Sequence, residues 1–401
     1  MCAGSSRASS EPARFRLFES VDHPYHPTPH LRSISHMKIT RVDTYLIDVP
    51  QKHAIFPYQS RYIATSSTGA MLVRLETDGG VVGWGETPQI LSFYGQPPLT
   101  ADIANSLRPK LLGKDAGAIE ALYADWDLGG VRIQSAVEMA MWDILGKAAG
   151  LPLYRLLGGP YRDRIELACC MGIQPRERAG EIARGFVEDG FTTLKTKAGR
   201  SPEEDLEMVR GIRDAVGDQL KLRIDPNTGY SPEVCEQLAK DLEPYNLEYL
   251  EQPMPDENIA DSARIRKLTT TPLALNESVT TLAHVREILA LEAADYLLPD
   301  TYQCGGLWAV KRIVDVAASA GVPCVFHCAH DFGLKTAVML HVAASSPNMP
   351  LANDCTYFGL ESDILKAPLR IENGRMAVPQ GPGLGVEVDM HLVEKYAAGE
   401  A

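Results

Sequence analysis

The sequence predicts an α/β protein, a (β/α)8-type barrel preceded by an α+β capping domain. Three observations point there. Beyond residue 163, short β-rich runs alternate with amphipathic helical patterns; polar residues recur at the ends of those runs with a nearly constant period; and the segment before them has a different rhythm, a hairpin followed by helices. At 401 residues, with 45% hydrophobic and 23% charged side chains, the chain can bury one large domain and a smaller companion.

Residues 1–36 are rich in Ser, Pro, Arg and His, lack the apolar run of a secretory signal, and carry Glu11, Glu19 and Asp22, which argue against organelle targeting. They are expected to be a disordered extension. The capping domain is expected over 37–162. It opens with the alternating "MKITRVDTYLIDVP" and continues through "AMLVRLETDGGVVGWGET", two alternating arms around Asp78-Gly79-Gly80. Between 134 and 159, Ala136, Met139, Ala140 and Ile144 keep helical spacing until Gly150 and Pro152 end the helix; Trp84, Trp142 and Asp143 are assigned to packing.

The barrel is expected over 163–360. Its strand candidates are "IELACCMG", "TTLKTKAG", "LKLRIDPN", "LEYLEQP", "PLALNES", "ADYLLPD", "VPCVFH" and "PLAND", with helical patterns such as "SPEEDLEMVRGIRDAVG" between them. Lys197, Asp225, Glu251, Asn276 or Glu277, Asp300, His327 and Asp354 stand near the ends of these runs, about one βα unit apart. A single acid at a strand end is commonly a helix cap. Seven polar residues in phase place one group per unit on the same face, where barrels of this kind build active sites.

Asp225, Glu251 and a third ligand from the next strand would offer oxygen donors suited to Mg2+, whereas no Cys/His set has zinc spacing. Lys195 and Lys197 are two apart, so both would point into the barrel. Like-charge repulsion and desolvation are then expected to lower the pKa of Lys197 and make it a neutral base, with Lys195 meeting a substrate carboxylate. Opposite them, Asp300 would orient His327 and raise its basicity. A formal net charge of -13 without a long basic run argues against nucleic acid and anionic membrane, and no apolar run reaches membrane length. Eight cysteines without CxxC spacing suggest reduced thiols in a cytoplasmic protein.

Taken jointly, "GGVVGWGE", "AVEMAMWDILGKAAGLPLYRLLGG", "KTK", "DPNTGY", "LEQP", "NES", "PDTYQCGG" and "VPCVFH" resemble the mandelate racemase and muconate-lactonizing branch of the enolase superfamily, over nearly all of 37–395. The resemblance implies that residues 361–401 return to the capping domain, whose loops select the substrate. It implies a Mg2+ held by Asp225 and Glu251, with Lys197 as base on one face and the Asp300–His327 dyad on the other. A lysine stands at the place of Asp300 in the muconate-lactonizing type, so that subtype is disfavoured. The fifth-strand motif departs from the usual pattern, and Asn276 and Glu277 are both candidate ligands. Phe56, Tyr58, Arg61, Tyr62, Phe93 and Tyr94 fall where specificity loops are expected, and the expected substrate contacts are Lys195, Asn227, Asp354, Arg61 and Tyr62. The implied reaction is proton abstraction α to a carboxylate, as a dehydratase of sugar or hydroxy acids first, a racemase or epimerase second, and a cycloisomerase last. A small carboxylate and further copies of the chain are the expected partners.

Overall fold

The computed structural model describes Met1 and residues 37–52, 55–89 and 98–398. The N-terminal extension and the loop residues Phe93 and Tyr94 lie outside the described residues. The first sheet is antiparallel, with β1 (Ile39–Pro50), β2 (Ser67–Thr77) and β3 (Val82–Pro88) in that order. Gly80, at φ 74, makes the expected turn between β2 and β3. Helices α1 (Ala101–Leu111) and α2 (Val131–Ala149) follow.

The "VGWGE" glycines have a steric cause. A Cβ on Gly85 would lie 1.8 Å from the Ala136 carbonyl oxygen and one on Gly83 would lie 2.1 Å from that of Ala140, so β3 touches the backbone of α2 and only glycine fits. Helix α2 ends where expected, Gly150 adopting the left-handed conformation at φ 67.

The barrel then runs β4 (Arg164–Met171), α3 (Arg176–Glu188), β5 (Thr193–Lys197), α4 (Pro202–Val216), β6 (Lys221–Asp225), α5 (Pro232–Leu242), β7 (Tyr249–Glu251), α6 (Ile259–Arg266), β8 (Leu273–Leu275), α7 (Leu282–Ala290), β9 (Tyr296–Leu297), α8 (Leu307–Ser319), α9 (Gly333–Ala344) and β10 (Asn353–Cys355). Neighbouring strands from β4 to β9 are parallel, and β10 pairs β4. Helix α4 shows why its sequence reads so clearly. Ser201 Oγ accepts from the Glu204 N–H, Pro202 starts the helix, and Gly217 at φ 56 stops it.

One expected strand takes another form. "VPCVFH" is not a regular strand, yet it fills the seventh place: Cys324 bridges Leu297, the N–H groups of Val325 and His327 donate to Leu297 and Pro299, and Asp354 N–H donates to the Phe326 carbonyl. The Asn353 side chain takes the Phe326 N–H at 2.8 Å, standing in for a backbone acceptor. The ring therefore closes. Among the described residues, no helix is long and apolar enough to cross a membrane, and the seven described cysteines are free thiols.

Candidate active site

Period-two alternation builds the barrel mouth in layers. Two residues before Glu251, Asn276, Asp300 and His327 stand Tyr249, Ala274, Leu298 and Val325, which pack as one buried apolar cluster. They floor the site. On β5 and β6 the lower layer is charged, Lys195 opposite Arg223, and the upper layer is Lys197 opposite Asp225.

Lys195 is buried, its Nζ 2.6 Å from Glu251 Oε1, 2.8 Å from Asp354 Oδ2 and 3.5 Å from Asp225 Oδ2. Burial alone would lower its pKa; Asp354, Glu251 and Asp225 outweigh that and hold the ammonium well above the ordinary lysine range. Lys197 Nζ lies 2.5 Å from Asp225 Oδ2 at the edge of the pocket. Lys195, expected to meet a substrate carboxylate, meets the protein's own Glu251 and Asp354, and Lys197, expected beside a like charge, is also paired with a carboxylate, Asp225. Burial resists ionisation of Asp225, but Lys197 and Lys195 keep it below the usual carboxylate range, while burial and the charge of Asp225 push Glu251 well above it.

The third-ligand candidates are separated by one side chain. Gln252 Oε1 accepts the N–H groups of Asn276 and Ser278 and so fixes this turn. Asn276 Nδ2 then donates to the Leu298 carbonyl at 2.7 Å and to Gln303, towards the sixth position of the barrel. Glu277 leans the other way. Its Oε1 accepts from Asn227 Nδ2 at 3.1 Å, and that same amide nitrogen lies 3.3 Å from Asp225 Oδ2. Burial and Asp225 push the Glu277 carboxyl up to about 7.

His327 Nδ1 is 3.0 Å from Asp300 Oδ2, so the expected pair is formed. Its basicity is not raised. Burial, then Lys195 and Lys197, hold the imidazole well below its ordinary pKa, and the carboxylates do not make up the difference. Nε2 of His327 and Oε2 of Glu251 are buried without a hydrogen-bond partner. One ligand atom each from Asp225, Glu251 and His327 lies within 4.8 Å of the others, a cluster that could hold a metal ion.

Other expected contacts turn elsewhere. Asp354 is gripped by Lys195 at 2.8 Å and by Arg223 at 3.1 Å, and these cations keep it ionised despite burial. Arg61 donates to the Asn227 carbonyl at 3.2 Å, and the Tyr62 hydroxyl donates to the same oxygen at 3.0 Å, so both cap residues latch onto the barrel loop.

Sequence reasoning missed Arg223 and Lys335. Arg223 lies two before Asp225, which was the signal that it points inward. Lys335 sits buried in the apolar helix α9, where its charge was the signal; it bonds Asp300 at 2.9 Å and Asp331 at 2.7 Å. Behind the dyad there is therefore a cation that holds Asp300 in place.

Comparison with known proteins identifies the family. Residues 41–158 match the profile of the mandelate racemase / muconate lactonizing enzyme N-terminal domain, and residues 178–392 match the enolase C-terminal domain-like profile. The chain belongs to the mandelate racemase / muconate lactonizing enzyme family. It is 30% identical to an L-Ala-D/L-Glu epimerase of Bacillus subtilis, covering 87% of this chain and 97% of that protein. It is 30% identical to a D-xylonate dehydratase of Haloferax volcanii, covering 81% and 85%. A dipeptide epimerase of Cytophaga hutchinsonii, solved with Mg and the dipeptide D-Ala-L-Val, superposes with a TM-score of 0.84 at 27% identity, covering 90% and 98%. Relatives in this family are dehydratases, epimerases, racemases and cycloisomerases, and this protein is an enzyme of that lyase and isomerase group.

Proposed function

We propose that the protein is a Mg2+-dependent enzyme that removes the proton α to a carboxylate and dehydrates a sugar acid or hydroxy acid to a 2-keto acid. The observation that carries this reading is His327 on the pocket wall, paired with Asp300 through Nδ1 and with Nε2 lacking a hydrogen-bond partner, beside the buried carboxylates Asp225 and Glu251.

The residues fit the ion. Asp225, Glu251 and Glu277 are buried carboxylates on successive strand ends, the last two raised in pKa by burial and then by the charge of Asp225, and Glu251 Oε2 has no hydrogen-bond partner. Glu277 is preferred to Asn276 because Asn227 ties it to Asp225, whereas Asn276 is bonded to Leu298 and Gln303. His327 is kept for proton work, since three carboxylates suit a hard cation better than an imidazole does. Bound there, Mg2+ supplies a Lewis acid for the substrate carboxylate and stabilises the charge that develops when the adjacent proton leaves.

The remaining steps belong to side chains. Asp300, itself held by Lys335, accepts from Nδ1 of His327 and leaves Nε2 as the acceptor. Neutral His327 can take the α-proton at Nε2 and hand it to the β-hydroxyl as the Cβ–O bond breaks, which releases water and an enol that becomes the 2-keto acid. Lys197 can deliver or remove a proton from the other side. That second group favours the alternative reading, a racemase or epimerase, in which one residue removes the proton and the other returns it to the opposite face.

The test is incubation of the full chain with Mg2+ and a library of sugar acids, hydroxy acids and N-acylated amino acids in D2O. Formation of 2-keto acid supports the dehydratase. Change of optical rotation with deuterium uptake and no keto acid supports the alternative, and absence of α-exchange with every acid sinks both.

A further inference from the structure

The pocket has two unlike walls. The barrel wall carries Lys195, Lys197, Asn227 and His327; the cap wall carries Ser60, Thr65, Ser67, Thr68 and Gln89, with Tyr58 and Ile63. Among the described residues that line it, Lys195 and Lys197 are the only cations, and none is a carboxylate. Both are already paired with carboxylates of the barrel, Lys195 with Glu251 and Asp354 and Lys197 with Asp225.

Arg61 was the candidate for a distal anion. Its guanidinium instead lies over the Tyr62 ring at 4.6 Å and donates to the Asn227 carbonyl, and it does not line the pocket. Asp354, which could have met a substrate ammonium, is engaged by Lys195 and Arg223. His330 offers no charge either, because burial and the neighbouring Lys197 lower its imidazole to about 3.

The hydroxyls are also oriented. Thr65 donates to the Ser67 carbonyl at 2.8 Å, and Ser67 donates to Asp48 Oδ2 at 3.1 Å. Their protons are engaged within the cap, so each oxygen keeps accepting capacity for a ligand, Thr65 with one lone pair already taken by the Ser67 N–H. Gln89 is held in place by the backbone of Leu99, its Oε1 accepting the N–H and one Nε2 proton going to the carbonyl, which leaves the second Nε2 proton as a neutral donor. The wall is neutral and offers both kinds of group, since Thr65 and Ser67 present oxygens that accept while Thr68, whose Oγ1 accepts from Gln51 Nε2, keeps its own proton to give; this suits substrate hydroxyls, which donate and accept. Among the described lining residues no cation stands there to offset the desolvation of a second carboxylate.

We infer that the substrate carries a single charge, the carboxylate at the reacting end, and that the rest of it is an uncharged polyhydroxy chain: an aldonate-type monoacid, not a diacid and not a free dipeptide. This rests on the reading of the site as a proton-abstracting one, and it narrows that reading.

The experiment compares acids that differ only at the distal carbon, D-gluconate against D-glucarate and D-galactonate against galactarate, with L-Ala-L-Glu as the amine-bearing probe. Binding to the Mg2+-loaded full-length protein is measured by titration calorimetry, and α-proton exchange by NMR in D2O. The monoacid of at least one pair should bind on the order of 100-fold more tightly than its diacid, because a polar group left unpaired in a closed site is strongly rejected. Thr65→Arg, which adds a cation to the cap wall, should narrow that gap. Equal or tighter binding of the diacids or of the dipeptide overturns the inference, as does failure of every monoacid to bind. Preferential monoacid binding without exchange leaves the inference standing and overturns the proposed chemistry, so the two failures are distinguishable.

Discussion

Glu138 and Glu251 are both fully buried glutamates, one at the seam between α2 and α8, the other at the barrel mouth. At the seam every acceptor is used. Glu138 Oε1 takes the Tyr123 hydroxyl, the Trp142 indole N–H and the Trp308 N–H, and Oε2 takes the Leu307 N–H. At the mouth, Glu251 Oε1 takes only Lys195, and Oε2 takes nothing. Burial alone therefore does not mark function. A buried carboxylate whose oxygens are all engaged holds elements together, whereas one with an idle oxygen beside other carboxylates is arranged for something that arrives later.

The sharpest way to break this comparison is to remove each charge. Glu251→Gln should lower turnover by about 1000-fold or more, since the isosteric amide withdraws an anionic ligand, while the melting temperature stays within a few degrees of wild type. Treatment with EDTA should reproduce the loss and added Mg2+ should reverse it in wild type only. Full activity after EDTA would sink the metal assignment.

The next largest effect separates the two candidate ligands. Glu277→Gln should weaken Mg2+ binding on the order of 100-fold, whereas Asn276→Ala, which loses bonds to Leu298 and Gln303, should change it by only about threefold. Titration calorimetry on both variants decides, and the reverse order would move the ligand to Asn276.

At the seam the prediction has the opposite character. Glu138→Gln should destabilise the fold by about 1–3 kcal/mol in urea unfolding, because the new NH2 group faces an N–H it cannot accept, with kcat unchanged in the folded fraction. A fall in kcat without loss of stability would erase the distinction.

The smallest effect is a pH dependence. Glu86, on β3, accepts the N–H groups of Phe332 and Lys335 at the start of α9, and burial, then Asp331, push its carboxyl up to about 8. A carboxyl raised in the fold contributes stability that is complete below its unfolded pKa and is lost as pH climbs through the folded value. Melting temperature should therefore fall by a few degrees between roughly pH 5 and 8. Glu86→Gln should flatten that slope, and an unchanged slope would assign it to other groups.

Much of this was legible in the sequence because the barrel repeats. One βα unit per polar residue made Lys197, Asp225, Glu251, Asp300, His327 and Asp354 fall into phase, and the period of two placed Lys195 with Lys197. What the sequence could not reveal depends on contacts between distant segments. Asn276 turns towards Leu298 and Glu277 towards Asn227 on a turn whose backbone N–H groups are held by the Gln252 side chain, 24 and 25 residues earlier in the chain. Arg61 looks the same in sequence whether it faces a ligand or the Asn227 carbonyl. The seventh strand was anticipated from "VPCVFH", but its lack of regular pairing follows from Asn353, whose side chain replaces a main-chain acceptor.

The cap wall also has a consequence for how such an enzyme changes. Six of its residues, from Tyr58 to Thr68, come from one stretch of eleven positions, while the proton-handling and carboxylate groups are dispersed over seven places on the barrel rim, from Lys197 to Asp354. A single short graft could therefore exchange what the enzyme accepts and leave how it reacts in place. The Asn227 carbonyl is a joint between the two inheritances, since Arg61 and Tyr62 grip it from the cap while the side chain of the same residue spans Asp225 and Glu277. A transplanted loop that lacks that grip would bring its new preference at the expense of the geometry beneath it.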